Sequence, residues 1–134
     1  MFAPFKPQAS VYSNIHVETA VQNADGHRLT AMLLDGAIGA IGVAINALER
    51  GDIAAKCKAV SKAAGIVDEG LRGALNREQG GELAKTLDDL YACVLVRLTT
   101  ANARNDAALL RECSQLLAPM RDAWNAIKPQ RMAA

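Results

Sequence analysis

Residues 53–75 read IAAKCKAVSKAAGIVDEGLRGAL, and their apolar spacing decides the fold class. Ile53, Cys57, Val60, Ala64, Val67, Leu71 and Leu75 recur at intervals of four and three, which lines one seam of a helix and cannot line one face of a strand. Gly51-Asp52 just ahead supplies a stop for the preceding helix and an N-cap for this one. The spacing predicts a helix ending near Asn76.

The same rhythm continues on both sides. After the polar stretch Arg77 to Gly81, apolar residues return at Leu83, Leu87, Leu90/Tyr91, Val94, Leu98 and Ala101. Asp106 then stands as an N-cap before Leu109/Leu110, Cys113, Leu116/Leu117, Met120, Trp124 and Ile127, with Pro129 beyond the expected end and Pro119 predicting a kink or a lost hydrogen bond inside. Upstream, Asn23 or Asp25 is placed to cap a helix running to about Arg50. Four helices of roughly 20 residues, about 30 Å each at 1.5 Å per residue, joined by short connections, run antiparallel to their neighbours. The expected fold is all-α, an antiparallel up-down four-helix bundle with a short N-terminal helix or arm packed against it. Residues 1–19 are expected to form that arm or short helix, 20–128 the bundle domain and 129–134 a C-terminal tail.

The helix beginning near Gly26 departs from a simple amphipathic plan. One seam passes through Leu29, Met32/Leu33, Ala40, Val43/Ala44 and Ala47, and another through Leu34, Ile38, Ile41, Ile45 and Leu48. A helix apolar nearly all round is covered on more than one side, so the N-terminal arm, a second chain, or each in turn, covers the surplus face. The competing reading is that Gly36, Ala37, Gly39, Ala40, Gly42 and Ala44 simply permit close packing. Asp35, Asn46 and three glycines interrupt the stretch, which argues against a bilayer span and against stable membrane insertion.

Composition agrees with helices: the 134 residues are 51% hydrophobic but only 4% aromatic, rich in alanine and leucine. Fifteen basic and 14 acidic residues nearly cancel to +1, leaving no overall field for nucleic acid. Cys57, Cys93 and Cys113 form no C-x-x-C pair and sit on apolar helical positions, as free thiols in a reducing compartment do. The N-terminus, beginning Met1-Phe-Ala-Pro-Phe, lacks the apolar run of a signal peptide, and the expected location is cytoplasmic.

Residues with chemical potential are sparse. His16 and His27 fall in no helical metal-ligand spacing, and no phosphate loop, nucleophile elbow or dinucleotide motif is present, so no catalytic residue, metal or cofactor is expected. Asp35 on an apolar helix needs a partner, with Arg97 or Arg121 as candidates. Asn102 is placed to cap carbonyls, to fix the turn at Asn105-Asp106, or to bond a bound peptide's backbone. Tyr91 and Trp124 read as core aromatics, whereas Tyr12 packs only if the arm folds back. Lys56, Lys58 and Lys62 read as a solvated face. A histidine phosphotransfer module is the alternative function for a bundle of this length, but His27, its one plausible acceptor, starts its helix and lacks the lysine-glycine neighbours of that family.

Short landmarks spread over residues 10–127 point further. Val11-Tyr12 and Val17-Glu18-Thr19-Ala20 are followed by Leu29, Met32-Leu33, Asp35-Gly36-Ala37, Ser61-Lys62-Ala63, Ile66-Val67 and Leu75. Later come Glu78, Gly80-Gly81-Glu82, Leu90-Tyr91, Arg97-Leu98, Ala101-Asn102, Asp106 and Ala123-Trp124. In order and spacing the set resembles the flagellar secretion chaperone FliS family. It departs at Leu34, where the family usually has an aromatic, at Cys93, often tyrosine there, and at Asp25-Gly26, commonly Ser-Pro.

The resemblance implies a non-enzymatic flagellar export chaperone that binds the disordered C-terminal segment of flagellin in the cytoplasm. It would prevent premature polymerisation and assist delivery to the flagellar type III export apparatus. Amphipathic client stripes would lie as helices in apolar grooves, part of the interaction energy being spent on ordering the client. The expected flagellin-binding residues are Leu29, Leu33, Tyr91, Val94, Leu98 and Asn102, with Tyr12 as a competitor or clamp.

Overall fold

A computed structural model describes residues 26–127, and within them the chain forms four helices. Helix α1 spans Gly26–Glu49, α2 Ile53–Gly65, α3 Arg77–Arg104 and α4 Ala107–Ala126, with a π-helical stretch, Ile66–Arg72, continuing α2. The expected arm, the Asn23 and Asp25 caps, His16 and the tail lie outside the described residues.

Local chemistry sets the ends. Gly51 takes φ +78°, a left-handed conformation that a side chain opposes, and the Asp52 carboxylate accepts from the Ala55 N–H at 3.0 Å to open α2. Asp106 does the same for the Leu109 N–H at 3.0 Å and opens α4. The polar stretch before Leu83 is wound into a first helical turn, and only Gly81, at φ 53° and ψ −127°, breaks the helix within α3. Helix α4 continues through Pro119 and ends at Ala126. Ile127, placed on the α4 seam by its spacing, instead follows the helix in an extended conformation and is exposed.

Contacts between helices show the antiparallel order. Glu49 at the end of α1 pairs with Arg111 near the start of α4, while Asp35 meets Arg121 further along. Lys56 near the start of α2 meets Asn102 near the end of α3, and Arg72 meets Asp88. Arg97 of α3 pairs with Glu112 of α4. The four helices thus run up and down, α1 packing chiefly on α2 and α4, and α3 on α4 and the π-helical stretch.

The core is built from Leu34, Ile41, Val60, Val67, Tyr91, Val94, Leu98, Leu110, Cys113 and Leu117 with alanines between them. Helix α1 is long and apolar enough to cross a membrane by length and composition, yet it supplies six buried residues to this core. Its exposed strip, Asp35, Gly39, Val43 and Asn46, is small or polar except for Val43. Half-buried Leu29, Met32 and Leu33 remain at its N-terminal half. Leu33 packs against the π-helical stretch so closely that a Cβ on Gly70 would lie 3.0 Å from a Leu33 methyl carbon.

Helix α2 corrects two expectations. Its buried line, continued into the π-helical stretch, is Lys56, Ala59, Val60, Ala63, Ile66, Val67 and Leu71, so Val60, Val67 and Leu71 of the expected seam are buried, whereas Ile53 is exposed and Cys57 and Ala64 are half-buried. Lys58 and Lys62 face solvent, but Lys56 is 2% exposed. Its ammonium is drawn inward by two oxygen acceptors on Asn102, at 2.8 Å from the backbone carbonyl and 2.7 Å from Oδ1. One of these belongs to the last turn of α3, where unpaired carbonyls and the negative end of the helix dipole favour a cation.

Candidate functional site

An apolar groove lies where α1 and α4 meet the break between α2 and α3. It has a volume of about 270 Å³ and is lined by α1, the π-helical stretch, the α2–α3 connection, α3 and α4. Gly26 and Thr30 form one wall, Leu71, Ala74, Leu75 and Asn76 another, and Gly80, Leu83, Ala84 and Leu87 a third, with Tyr91 and Trp124 beneath.

Each wall follows from local sequence. The π-helical stretch, seen in the Gly73 N–H to Asp68 carbonyl bond at 3.2 Å, shifts the α2 face by part of a turn. It lets Leu71, Ala74 and Leu75 face the groove together. Gly80 sits where a Cβ would lie 2.7 Å from that of Ala84, so the first turn of α3 approaches the main body of the helix only with glycine there. Leu83 is 62% exposed, a large apolar side chain left open at the groove edge. Trp124 is fixed by its indole N–H, which donates to the His27 carbonyl oxygen at 3.0 Å, and by stacking on the His27 ring at 5.8 Å. That imidazole is therefore half-buried against an aromatic face, not projecting from mid-helix.

Of the expected flagellin-binding residues, Tyr91 reaches the groove, as part of its floor, at 1% exposure. Burial pushes its phenol up to about 12. Val94 and Leu98 lie at 0% exposure in the core below it, where their side chains meet other helices of the bundle. Leu29 and Leu33 are half-buried on α1, and Asn102 is half-buried at the opposite end of the bundle, so the groove does not include it. Tyr12 lies outside the described residues. The spacing missed Leu71, Leu75 and Gly80 as wall residues, because only the π-helical shift and the Gly81 break turn them to one place.

Charges around the bundle are mostly paired. Asp35 meets Arg121 at 3.4 Å, the pairing expected of it, while Arg97 bonds Glu112 and, through Nε at 3.4 Å, the Cys93 sulfur. Cys93 is exposed, Cys57 half-buried and Cys113 buried, all three as free thiols, with burial pushing the Cys113 thiol up to about 11. No group of three or more His, Cys, Asp or Glu side chains placed to hold a metal occurs among the described residues. What the site offers is apolar surface with few polar contacts, suited to binding a chain segment rather than to acid-base chemistry.

Comparison with known proteins agrees in kind. A family model described as flagellar protein FliS matches residues 8–131. The chain is 44% identical over 119 residues to the flagellar secretion chaperone FliS of Salmonella typhimurium, covering 89% of this chain and 88% of that one. It is 41% identical over 116 residues to the flagellar secretion chaperone FliSB of Pseudomonas aeruginosa, covering 87% and 91%. With the FliS of Escherichia coli the identity is 36% over 124 residues, covering 92% and 90%. An all-helical bundle with an apolar groove, matched along almost its whole length, belongs to the FliS family of flagellar secretion chaperones, which are not enzymes.

Proposed function

We propose that this chaperone binds the disordered C-terminal segment of flagellin in the cytoplasm, prevents its premature polymerisation and assists its delivery to the flagellar type III export apparatus. The observation that carries this reading is the groove, walled by leucines and alanines, with Leu83 open at its edge. An amphipathic segment that is unstructured alone can place its apolar side chains there as a helix forms. Leu29 and Leu33 extend the apolar surface along α1, Tyr91 supplies the groove floor, and Val94 and Leu98 act from beneath by holding that floor in place. The segment containing Tyr12 competes for the same surface or clamps the client.

Ordering the client opposes association, so a large contact area is compatible with release at the export gate. The test is capture of purified flagellin by this protein, with and without the C-terminal segment, followed by calorimetry with the isolated segment. Binding that survives removal of that segment would overturn the proposal.

A further inference from the structure

We propose that the Asn102 side-chain amide is a hydrogen-bond donor site for a backbone carbonyl oxygen of the bound segment, and that Lys56 is the residue that positions it. This rests on the reading of the protein as a chaperone for flagellin's C-terminal segment.

The Lys56 ammonium, 2% exposed, donates to the Asn102 backbone carbonyl oxygen at 2.8 Å and to Asn102 Oδ1 at 2.7 Å. An ammonium has donors only, so the amide atom that faces it must be the oxygen. That contact settles which way the amide is turned. Nδ2, on the other branch of the same planar group, is directed away from the buried cation, and among the described residues it has no hydrogen-bond partner. Asn102 is half-buried, so the amide is within reach of the surface.

The turn after α3 does not account for this arrangement. It is closed by the Asp106 N–H donating to the Ala101 carbonyl oxygen at 3.0 Å and by Asn105 at φ 52°, with the Asn102 side chain taking no part. Lys56 caps a last-turn carbonyl of α3, which explains a cation here but not an amide held with its two donors turned from that cation. A client that becomes helical on binding ends in carbonyls without intrahelical donors. Two amide donors without a partner among the described residues, on a half-buried side chain, suit that end of the segment. Asn102 lies 11 residues beyond Tyr91 on α3, about 16 Å at 1.5 Å per residue. A segment anchored in the groove and laid along the bundle spans that distance in about three helical turns.

The test uses the full-length protein and a synthetic peptide of the flagellin C-terminal segment. Asn102→Asp keeps Oδ1 for Lys56 and exchanges the two donors for an acceptor. Its melting temperature is expected at or above the parent's, with peptide affinity at least tenfold weaker. In the parent, the Asn102 side-chain NH2 resonances are expected to move downfield on peptide addition. A folded Asn102→Asp variant that binds within twofold of the parent, or NH2 resonances unmoved at saturation, would overturn the proposal. If Asn102→Asp does not fold, the resonance titration of the parent decides alone. Lys56→Met frees the amide to turn and is expected to weaken peptide binding. A folded Lys56→Met variant with parental affinity would overturn the positioning role. Absence of peptide binding by the parent would overturn the flagellin reading and this inference together, whereas parental binding unchanged in Asn102→Asp overturns the inference alone.

Discussion

The indole N–H of Trp124 donates to the backbone carbonyl oxygen of His27 at 3.0 Å, tying the last turn of α4 to the first turn of α1 beside the groove. This bond satisfies the indole donor of a half-buried ring whose apolar body lines the groove. Trp124→Phe keeps most of the apolar body and removes the bond, so it should lower stability by about 1 kcal/mol. Urea unfolding should show a lower midpoint at unchanged slope. Because Trp124 is the chain's single tryptophan, its fluorescence in the parent should also shift when the flagellin segment enters the groove. Saturable binding without any change in emission would place the client elsewhere.

Leu83 offers the corresponding surface test. At 62% exposure it contributes little to the core, so Leu83→Glu should leave the fold intact, with stability changed by no more than about 0.5 kcal/mol. A charge at the groove edge should weaken binding of the flagellin segment by more than about 1.4 kcal/mol, a factor of ten. Calorimetry on the folded variant measures this directly, and parental affinity would remove the groove edge from the interface.

Val94 and Val96 are two residues apart on α3 and differ sharply in exposure, at 0% and 66%. Val94→Glu buries an unpaired carboxylate and should destabilise by about 4 kcal/mol or more. Val96→Glu should stay within about 0.5 kcal/mol of the parent. Circular dichroism melts of the two variants check the assignment of Val94 to the core. They also show that loss of client binding in Val94→Glu reports unfolding and not a lost contact.

Alkaline pH should expose the buried acids. Burial raises the Cys113 thiol from 9.0 to about 11 and the Tyr91 phenol from 10.0 to about 12. Both are neutral when protonated, so the folded state holds these protons more tightly than the unfolded chain. Their contribution is therefore complete below about pH 9, declines as pH rises, and is lost through pH 11 to 12. Melting temperature followed between pH 8 and 12 should fall over that window. A thiol reagent at pH 8 should modify exposed Cys93 first, and Cys113 only after unfolding.

Much of the bundle was legible because helical cores impose a spacing on the chain. The α3 seam through Tyr91, Val94, Leu98 and Ala101 and the caps at Asp52 and Asp106 stand where local pattern placed them. The pairing of Asp35 with Arg121 was also within reach, since a carboxylate on an apolar helix needs a cation and few were available. The candidate site was less legible. Tyr91 was found through its seam, but an apolar position read from spacing does not distinguish the floor of a groove from the core beneath it, which is where Val94 and Leu98 lie.

The sequence by itself determined four helices, their order and their antiparallel course, because periodicity, caps and short connections are local and constrain one another. Tertiary structure alone decided how far each helix turns about its axis. The π-helical stretch and the Gly81 break rotate parts of α2 and α3 by fractions of a turn, and that rotation gathers Leu71, Leu75, Gly80 and Leu83 into one groove. It also decided the fate of Lys56. A lysine flanked by Cys57-Lys58 reads as solvated until the end of another helix, 46 residues away, presents two oxygens that hold its charge below the surface. Long-range acceptors of this kind leave no trace in the spacing of the residue they capture.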